Sequence, residues 1–144
     1  MSLEENKAAV RRFFEEFANQ GNASVVDEIF SPTCVMHAAD GADISGIEGA
    51  KTGYPRFRTA FPDVTYTIED MMADGDKVAF RMTIEGTHTG KLGNIEPTGK
   101  KIKMTRFALI RFENDKWVEG WVLTNTLGLY QQLGAIPPTR EIGK

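Results

Sequence analysis

The N-terminal segment repeats its hydrophobic residues at helical spacing. Charged residues fill much of the remaining surface. The hydrophobic members, at positions i, i+3, i+4 and i+7, are Val10, Phe13, Phe14 and Phe17. This spacing predicts an amphipathic helix over residues 3–19 whose apolar stripe faces a core. The polar segment 19–22, which contains a glycine, is predicted to end it.

Two further helices are predicted before the chain changes character. Residues 23–30 carry apolar side chains at helical spacing and end at a Ser-Pro pair. A third helix is predicted over residues 47–61, with Pro55 inside it. Because proline removes a backbone donor and crowds the preceding turn, we expect a kink or two short helices there. Residues 34–37 are predicted to be extended and residues 38–45 to form a loop.

The second half of the chain alternates apolar and polar residues, as strands do. The predicted strands are 65–73, 77–88, 101–113 and 117–125, and a closing helix is predicted over 127–133. On the first strand, the period of two places one set of side chains together: Tyr66, Ile68, Asp70 and Met72. Helices followed by an antiparallel sheet predict an α+β fold, in a single domain spanning residues 1–144.

The hairpin between the last two strands has two possible registers. A two-residue turn at Asn114 and Asp115 would pair Ile110 with Glu119, whereas a three-residue loop would pair Arg111 with Glu119. We predict the loop, because it sets opposite charges across the strands. One face then carries Phe112, Ile110, Ala108 and Arg106 with Val118, Gly120, Val122 and Thr124.

The other face of this hairpin is also apolar. Its members are Phe107, Leu109, Trp121 and Leu123. The predicted helices can cover one face of the sheet, and a large exposed apolar patch indicates an interface. We therefore predict that the second face forms a homodimer. The alternative is that the chain's own termini cover it.

Composition narrows the class of protein. The chain has 144 residues, of which 41% are hydrophobic and 26% charged, as is typical of a folded domain. The net charge of −3 argues against nucleic acid or an anionic membrane as the main partner. No apolar run approaches the ~18 residues of a membrane span, and the N-terminus lacks the apolar core of a secretory signal. We therefore expect a cytoplasmic protein.

Metal and thiol chemistry are not predicted. Cys34 is the only cysteine and lies in an apolar stretch, where we expect a small buried residue rather than a nucleophile. The two histidines, His37 and His88, are about fifty residues apart and have no cysteine cluster beside them. The sequence contains no glycine-rich phosphate loop or nucleophile elbow, so no metal or cofactor is expected.

Several polar residues are candidates for binding or proton transfer. His37 is the candidate catalytic acid/base, because its unperturbed pKa suits proton transfer near neutrality; alternatively, it orders the loop that follows it. Arg106 is predicted to bind a carboxylate or enolate oxygen, or else to pair with Asp70 or Glu85. His88 is expected to be an exposed rim residue. The other candidates for the ligand pocket are Tyr54, Tyr66, Asp70, Ala108, Val122 and Thr124.

Short motifs along nearly the whole chain occur in the order of a known family. They are Arg11-Arg12-Phe13-Phe14-Glu15-Glu16, Phe61-Pro62-Asp63, Gly86-Thr87-His88-Thr89-Gly90, Pro97-Thr98-Gly99-Lys100 and Gln131-Gln132-Leu133-Gly134. In order and spacing they resemble the SnoaL-like polyketide cyclases, or ester cyclase family, of the NTF2-like superfamily. The resemblance implies an α+β cone in which helices and a curved antiparallel sheet enclose a pocket, commonly in a homodimer.

The resemblance also implies where chemistry takes place. Members that close polyketide rings use an aspartate on the last strand and a histidine on the strand before it, without metal or cofactor. The matching positions in this sequence are Val122 and Ala108, and neither side chain can transfer a proton.

Three hypotheses about function follow. The first is a cofactor-independent enzyme of the cyclase or isomerase type that acts on a small hydrophobic carbonyl compound by proton transfer. In it, His37 is the acid/base and Arg106 the partner of the oxyanion. The second is a non-catalytic protein that binds an apolar ligand, which the side chains of Val122 and Ala108 favour. The third is a dimerisation module whose pocket is vestigial and filled.

Overall fold

Four α-helices and one six-stranded sheet make up the part of the chain that the computed structural model describes, residues 2–141 and 143. The helices are α1 (Leu3–Arg12), α2 (Ser24–Ile29), α3 (Gly46–Ala60) and α4 (Thr126–Gln132). The strands are β1 (Phe30–His37), β2 (Asp43–Ser45), β3 (Thr65–Asp74), β4 (Lys77–Thr87), β5 (Lys101–Glu113) and β6 (Lys116–Thr124). A 3₁₀ turn covers Thr139–Glu141, and none of the described helices is long and apolar enough to cross a membrane.

The first helix begins with a capping box and ends in a wider π-helical segment. Ser2 accepts a hydrogen bond from the backbone N–H of Glu5, whose carboxylate reaches back to the Ser2 N–H. The helical extent predicted for residues 3–19 is confirmed, but Phe13–Ala18 is π-helical. This wider turn buries the three phenylalanines of the segment together. It also places the Asn19 side chain to bond both the backbone N–H and the carbonyl of Tyr66, at 2.9 and 3.0 Å.

The sheet has the strand order β2-β1-β6-β5-β4-β3. The four predicted strands are confirmed to within one residue at each end, and two strands are added to them. β1 runs through Pro32 and pairs parallel with β6, while β2 forms where the sequence predicted a loop. The sequence predicted only residues 34–37 of β1 as extended and did not predict β2. β1 pairs with β6, about eighty residues further along the chain, and β2 in turn pairs with β1. All the other strand pairs are antiparallel.

Helix α3 is continuous through Pro55, so of the two predicted alternatives, a kink or two short helices, the second is wrong. Proline costs one helical hydrogen bond. The helix is nevertheless held on both sides of Pro55, because Ala50 and Ala60 are buried and Phe57 packs against the core. Packing of the apolar side of the helix outweighs the lost bond. The continuous helix fixes Tyr54, next to Pro55, over the sheet.

The hairpin between β5 and β6 combines the two registers that the sequence offered. The loop is a two-residue turn, with Asn114 and Asp115 at φ 50° and 64°. The predicted three-residue loop is therefore wrong. A one-residue shift in the pairing then leaves Val118 as a β-bulge, and Arg111 pairs with Glu119 as predicted. The bulge also turns Trp117, which is 2% exposed, into the core position expected for Val118.

A second bulge, in β3, separates residues that the sequence placed on one side. The register shifts between Ile68 and Asp70. Tyr66 and Ile68 face the core, but Asp70 and Met72 lie on the opposite face, where Met72 is 70% exposed. A bulge adds one residue to the strand and so exchanges the two faces beyond it.

The core lies between the helices and one face of the sheet, and its centre is aromatic. The Phe13 ring lies within 5.5 Å of the rings of Phe30, Tyr54 and Trp117. Cys34 is buried, as predicted, and this burial, with the nearby charge of Glu119, raises its thiol pKa to about 12. The prediction that His88 is an exposed rim residue is wrong. Its ring is fully buried, stacks on Phe61, and accepts a hydrogen bond from the Thr98 backbone N–H.

The segment after His88 comes close to the end of α3. The backbone N–H groups of Thr89 and Gly90 both donate to the Ala60 carbonyl, at 3.2 and 3.0 Å. A Cβ atom at Gly90 would overlap the carbonyl oxygen of Thr59. The glycine is therefore required for this close approach.

Gly90→Ala is expected to lower the free energy of unfolding by about 1–3 kcal/mol, because the new methyl group meets backbone rather than a movable side chain. Gly53→Ala is the matched control. It lies inside α3 with no atom within 4 Å of the added Cβ, so a gain of about 0.5–1 kcal/mol is expected. Urea unfolding of both variants measures the changes, and equal stability of the two would contradict this account.

Candidate functional site

A cavity of about 850 Å³ lies between the helices and the inner face of the sheet. Most of its wall is hydrocarbon, with aromatic rings from four separate elements: Phe13, Phe14, Phe30, Phe80 and Trp117. One group of polar residues lies at one end, on β5, at the end of β6 and at the start of α4: Thr105, Arg106, Thr124, Asn125 and Thr126. The cavity is not filled by side chains, which argues against the hypothesis of a vestigial, filled pocket. Its volume suits a drug-sized organic molecule.

The cavity opens to solvent through an apolar rim. Four lining residues there are strongly exposed, at 46%, 55%, 62% and 46% respectively: Ile44, Phe107, Leu123 and Leu127. The loop after β1 contributes residues 38–40 to the same opening. An apolar entrance of this kind favours hydrophobic ligands.

Arg106 projects into the polar end of the cavity and is held on two sides. Its Nε donates to Thr124 Oγ1 at 2.9 Å, and its Nη1 donates to the Tyr54 hydroxyl at 2.8 Å. The guanidinium carbon also lies 5.7 Å from the Tyr54 ring centre and 6.0 Å from that of Tyr66, in cation–π range. The strand pairing explains the first contact, because Arg106 is directly opposite Thr124.

No carboxylate of the described residues balances the charge of Arg106. The alternative partner Asp70 instead accepts from Arg81 at 2.7 Å, on the other face of the sheet. Within residues 2–141 and 143, no ion pair joins Arg106 to Glu85 or to any other carboxylate. A half-buried cation in an aromatic cavity is favourable mainly when an anion can reach it.

The other residues predicted for the pocket are found in different places. Tyr54, Val122 and Thr124 line the cavity with Arg106. Tyr66 lies behind them in the core, 6% exposed, and burial raises the pKa of its hydroxyl above the usual range. Ala108 is buried directly opposite Val122. The two positions at which the resemblance implies proton transfer are thus neighbours, and both side chains are hydrocarbon.

His37 contributes to the cavity opening, but its ring lies on the outer face of the sheet. It stacks on Trp121, its neighbour across the strand pair, with ring centres 5.3 Å apart. Nδ1 is 2.6 Å from Asp43 Oδ1, and Nε2 is 2.7 Å from Glu119 Oε2. Both nitrogens therefore contact carboxylates, which an imidazolium satisfies by donating twice.

These contacts, together with Arg111, form a charged network across four strands, β1, β2, β5 and β6. Hydrogen bonds to Glu119 and Asp43 raise the pKa of His37. The pKa of Glu119 is lowered, chiefly by His37 and then by Arg111, whose Nε donates to it at 3.1 Å. The network ties β2, which follows the loop at the cavity opening, to β6 in the centre of the sheet.

The sequence reasoning missed much of the cavity wall. Phe30, Phe80 and Trp117 were not assigned to it, and neither was the polar pair Thr105 and Asn125. Asn125 caps α4 through the N–H of Gly128. An asparagine between the last strand and the closing helix is typical of an N-cap, and this position in the sequence could have indicated that Asn125 lies beside the pocket. Among the described residues, no group of three or more histidine, cysteine or carboxylate side chains is placed to hold a metal ion.

His37→Gln is expected to lower stability in a pH-dependent way. Because the pKa of His37 in the folded state is raised above its ordinary value of 6.5, its stabilising contribution is full below that value and is lost as pH rises through the folded-state pKa. The difference in unfolding free energy between wild type and variant should be largest near pH 6 and shrink at higher pH. Urea unfolding at several pH values tests this. A difference that is constant from pH 6 to 9 would rule out the imidazolium.

Comparisons with known proteins agree with this architecture. The model of the family described as SnoaL-like polyketide cyclase matches residues 8–133. AclR, a candidate hydroxylase from Streptomyces galilaeus, is similar in structure with a TM-score of 0.84 and 28% identity, over 98% of this chain and 88% of that chain. IdmH, a candidate polyketide cyclase from Streptomyces antibioticus, gives 0.79 and 27%, over 90% and 98%. No curated protein matches the chain.

A third similar structure is a candidate polyketide cyclase from Acidithiobacillus ferrooxidans, with a TM-score of 0.78 and 30% identity over 93% of this chain and 98% of that chain. Together with the helices and the curved, unclosed six-stranded sheet, these neighbours confirm the NTF2-like α+β fold. The matched region contains every residue of the cavity. The chain therefore belongs to the SnoaL-like polyketide cyclase family.

Proposed function

We propose that the protein binds a small hydrophobic carbonyl compound in the cavity and acts on it by proton transfer without a cofactor. The observation that carries the proposal is Arg106, a cation without a carboxylate partner among the described residues, at the polar end of an aromatic cavity. When a carbon next to a carbonyl loses a proton, negative charge develops on the carbonyl oxygen. A fixed guanidinium stabilises that charge strongly where water is excluded.

The identity of the proton acceptor stays a prediction. His37 was the sequence candidate, and its ring is engaged by Asp43 and Glu119 on the outer face. To accept a substrate proton, it would have to give up one of these contacts. The contacts of His37 support the cavity opening. Whether His37 also takes part in catalysis is tested below.

A non-catalytic binding protein is the second candidate function. It is favoured by the pairing of Ala108 with Val122, because hydrocarbon side chains occupy both positions implied for acid/base residues. In this case, Arg106 orients a polar group of the ligand and no bond changes. The cavity and its apolar rim serve both candidates equally, so only turnover distinguishes them.

We also propose that the outer face forms a homodimer. The described termini leave it uncovered: Phe107, Trp121 and Leu123 are 55%, 39% and 62% exposed. Phe107 pairs with Leu123, and Leu109 pairs with Trp121, so the apolar residues form a continuous patch across β5 and β6. A patch on one sheet can meet its own copy about a two-fold axis.

The first test uses 2-tetralone, an apolar ketone with acidic protons next to its carbonyl. Wild-type protein is expected to accelerate the exchange of these protons for deuterium in D₂O, followed by NMR. Arg106→Gln should slow the exchange by about a hundredfold, because it removes the charge that stabilises the enolate. His37→Gln, assayed in parallel, decides the role of His37: an unchanged rate removes it as the acid/base.

Binding of 2-tetralone is measured separately by ligand-observed NMR. Binding without accelerated exchange would support the second candidate. Absence of both binding and exchange would count against the proposed ligand class.

The dimer is tested by sedimentation velocity at micromolar concentration. Wild type is expected to sediment as a dimer, and Leu123→Lys as a monomer, because it places a charge inside the apolar patch. Leu3→Lys is the matched control, since Leu3 is exposed at 42% but lies on α1, away from the sheet face. A monomeric wild type would contradict the interface.

A further inference from the structure

The Tyr54 hydroxyl has a hydrogen for which the described part of the chain offers no acceptor. Its oxygen accepts the hydrogen bond from Arg106 Nη1, at 2.8 Å. A tyrosine hydroxyl can donate one bond while it accepts another. None of the described residues accepts the Tyr54 hydrogen, and Tyr54 lines the cavity.

The Tyr54 ring is fixed in place by its neighbours. Four aromatic rings surround it, with centres between 5.4 and 6.4 Å away: Phe13, Phe14, Phe17 and Tyr66. Three of these contacts are edge-to-face, the arrangement that aromatic pairs favour. The hydroxyl is therefore held at one position beside the guanidinium and does not depend on a ligand to order it.

Arg106 also has donors to spare. A guanidinium carries five N–H groups. One donates to Thr124 and one to Tyr54, which leaves three without an acceptor among the described residues. The unused hydrogen of Tyr54 and the unused N–H groups of Arg106 thus lie next to each other in the cavity lining, where α3 meets β5.

We infer that Tyr54 is a second oxyanion donor and that, with Arg106, it makes the cavity select ligands bearing an ionised oxygen, such as an enolate or a phenolate. This inference rests on the proposed function, because it concerns the same cavity. It adds a catalytic residue that the sequence predicted only as a possible ligand contact. Tyr54 donates a hydrogen bond to the oxygen and transfers no proton.

The surroundings favour an anion at this point. The other charged groups that line the cavity, His37 and Asp40, lie at its opening, and Asp40 is exposed there. Hydrogen bonds to an ionised oxygen are roughly twice as strong as those to a neutral one. Two donors, one of them cationic, therefore bind an oxyanion much more tightly than the ketone or ether of the same shape.

The test uses 6-cyano-2-naphthol, whose neutral and ionised forms differ in absorbance, and its methyl ether as a neutral probe of similar shape. Wild type is expected to bind the ionised naphthol at least about tenfold more tightly than the neutral form. The bound probe should then ionise at a lower pH than the free probe. Ionisation at the same pH, bound and free, would overturn the inference.

Tyr54→Phe removes only the hydroxyl and keeps the ring packing. It is expected to reduce the preference for the ionised naphthol by about tenfold, while binding of the methyl ether stays unchanged. Tyr66→Phe is the matched control, because its ring lies under the same guanidinium but does not line the cavity, and no change is expected. Equal weakening of both probes by Tyr54→Phe would mean a structural role and would overturn the inference.

The outcomes separate this inference from the proposed function. If wild type binds the methyl ether but has no preference for the ionised naphthol, the cavity stands and the oxyanion site fails. If it binds neither probe, the proposed ligand class fails as well. The same variants in the 2-tetralone exchange assay should show the Tyr54→Phe effect in kcat, with KM little changed, because the ketone is neutral until the proton leaves.

Discussion

The pairing of β5 with β6, set by one extra residue at Val118, determines where the functional groups lie. The tight turn at Asn114 would by itself place Glu119 opposite Ile110. The bulge shifts the pairing by one residue, so that Arg111 meets Glu119 and Arg106 meets Thr124. Without it, the side chains of β6 beyond the bulge would change faces, and the polar end of the cavity would lose Thr124, the partner of Arg106.

The same register separates two sets of charges on opposite faces of the sheet. On the outer face, His37 and Arg111 are neutralised by carboxylates, and the network connects β1, β2, β5 and β6. On the inner face, Arg106 contacts hydroxyl groups and aromatic rings. The charges of the outer face are therefore paired with carboxylates, whereas the guanidinium of the inner face has no carboxylate partner among the described residues.

Local sequence patterns predicted most of the fold and part of the site. Alternation located the four long strands, and opposite charges identified the pairing of Arg111 with Glu119. The pattern missed the bulge in β3, and with it the true side of Asp70, because an extra residue in a strand leaves no mark on composition. It also missed the burial of His88, since that depends on a turn that packs against Phe61 from a distant part of the chain.

Cavity residues were predicted from the sequence where a pattern within one strand marked them, and were missed where their position depends on contacts between distant segments. Arg106 and Thr124 were found because they interrupt or end apolar strand faces. The ring of His37 was harder to place, since its orientation follows from the parallel pairing with Trp121, and β1 was predicted only as a short extended segment. The contact between Tyr54 and Arg106 joins residues 52 positions apart and depends on α3 staying intact at Pro55.

Two features bear on the chemistry proposed for the cavity. One is the guanidinium of Arg106, and the other is the absence of a carboxylate at the paired positions of Ala108 and Val122. A carboxylate there would repel an enolate once formed, in addition to accepting a proton. With hydrocarbon at both positions, no carboxylate of this pair opposes the Arg106 guanidinium, which in the proposed function stabilises the anion once the proton has left. Such a site suits ligands whose C–H or O–H groups are already acidic, because it stabilises the anion rather than supplying a strong base.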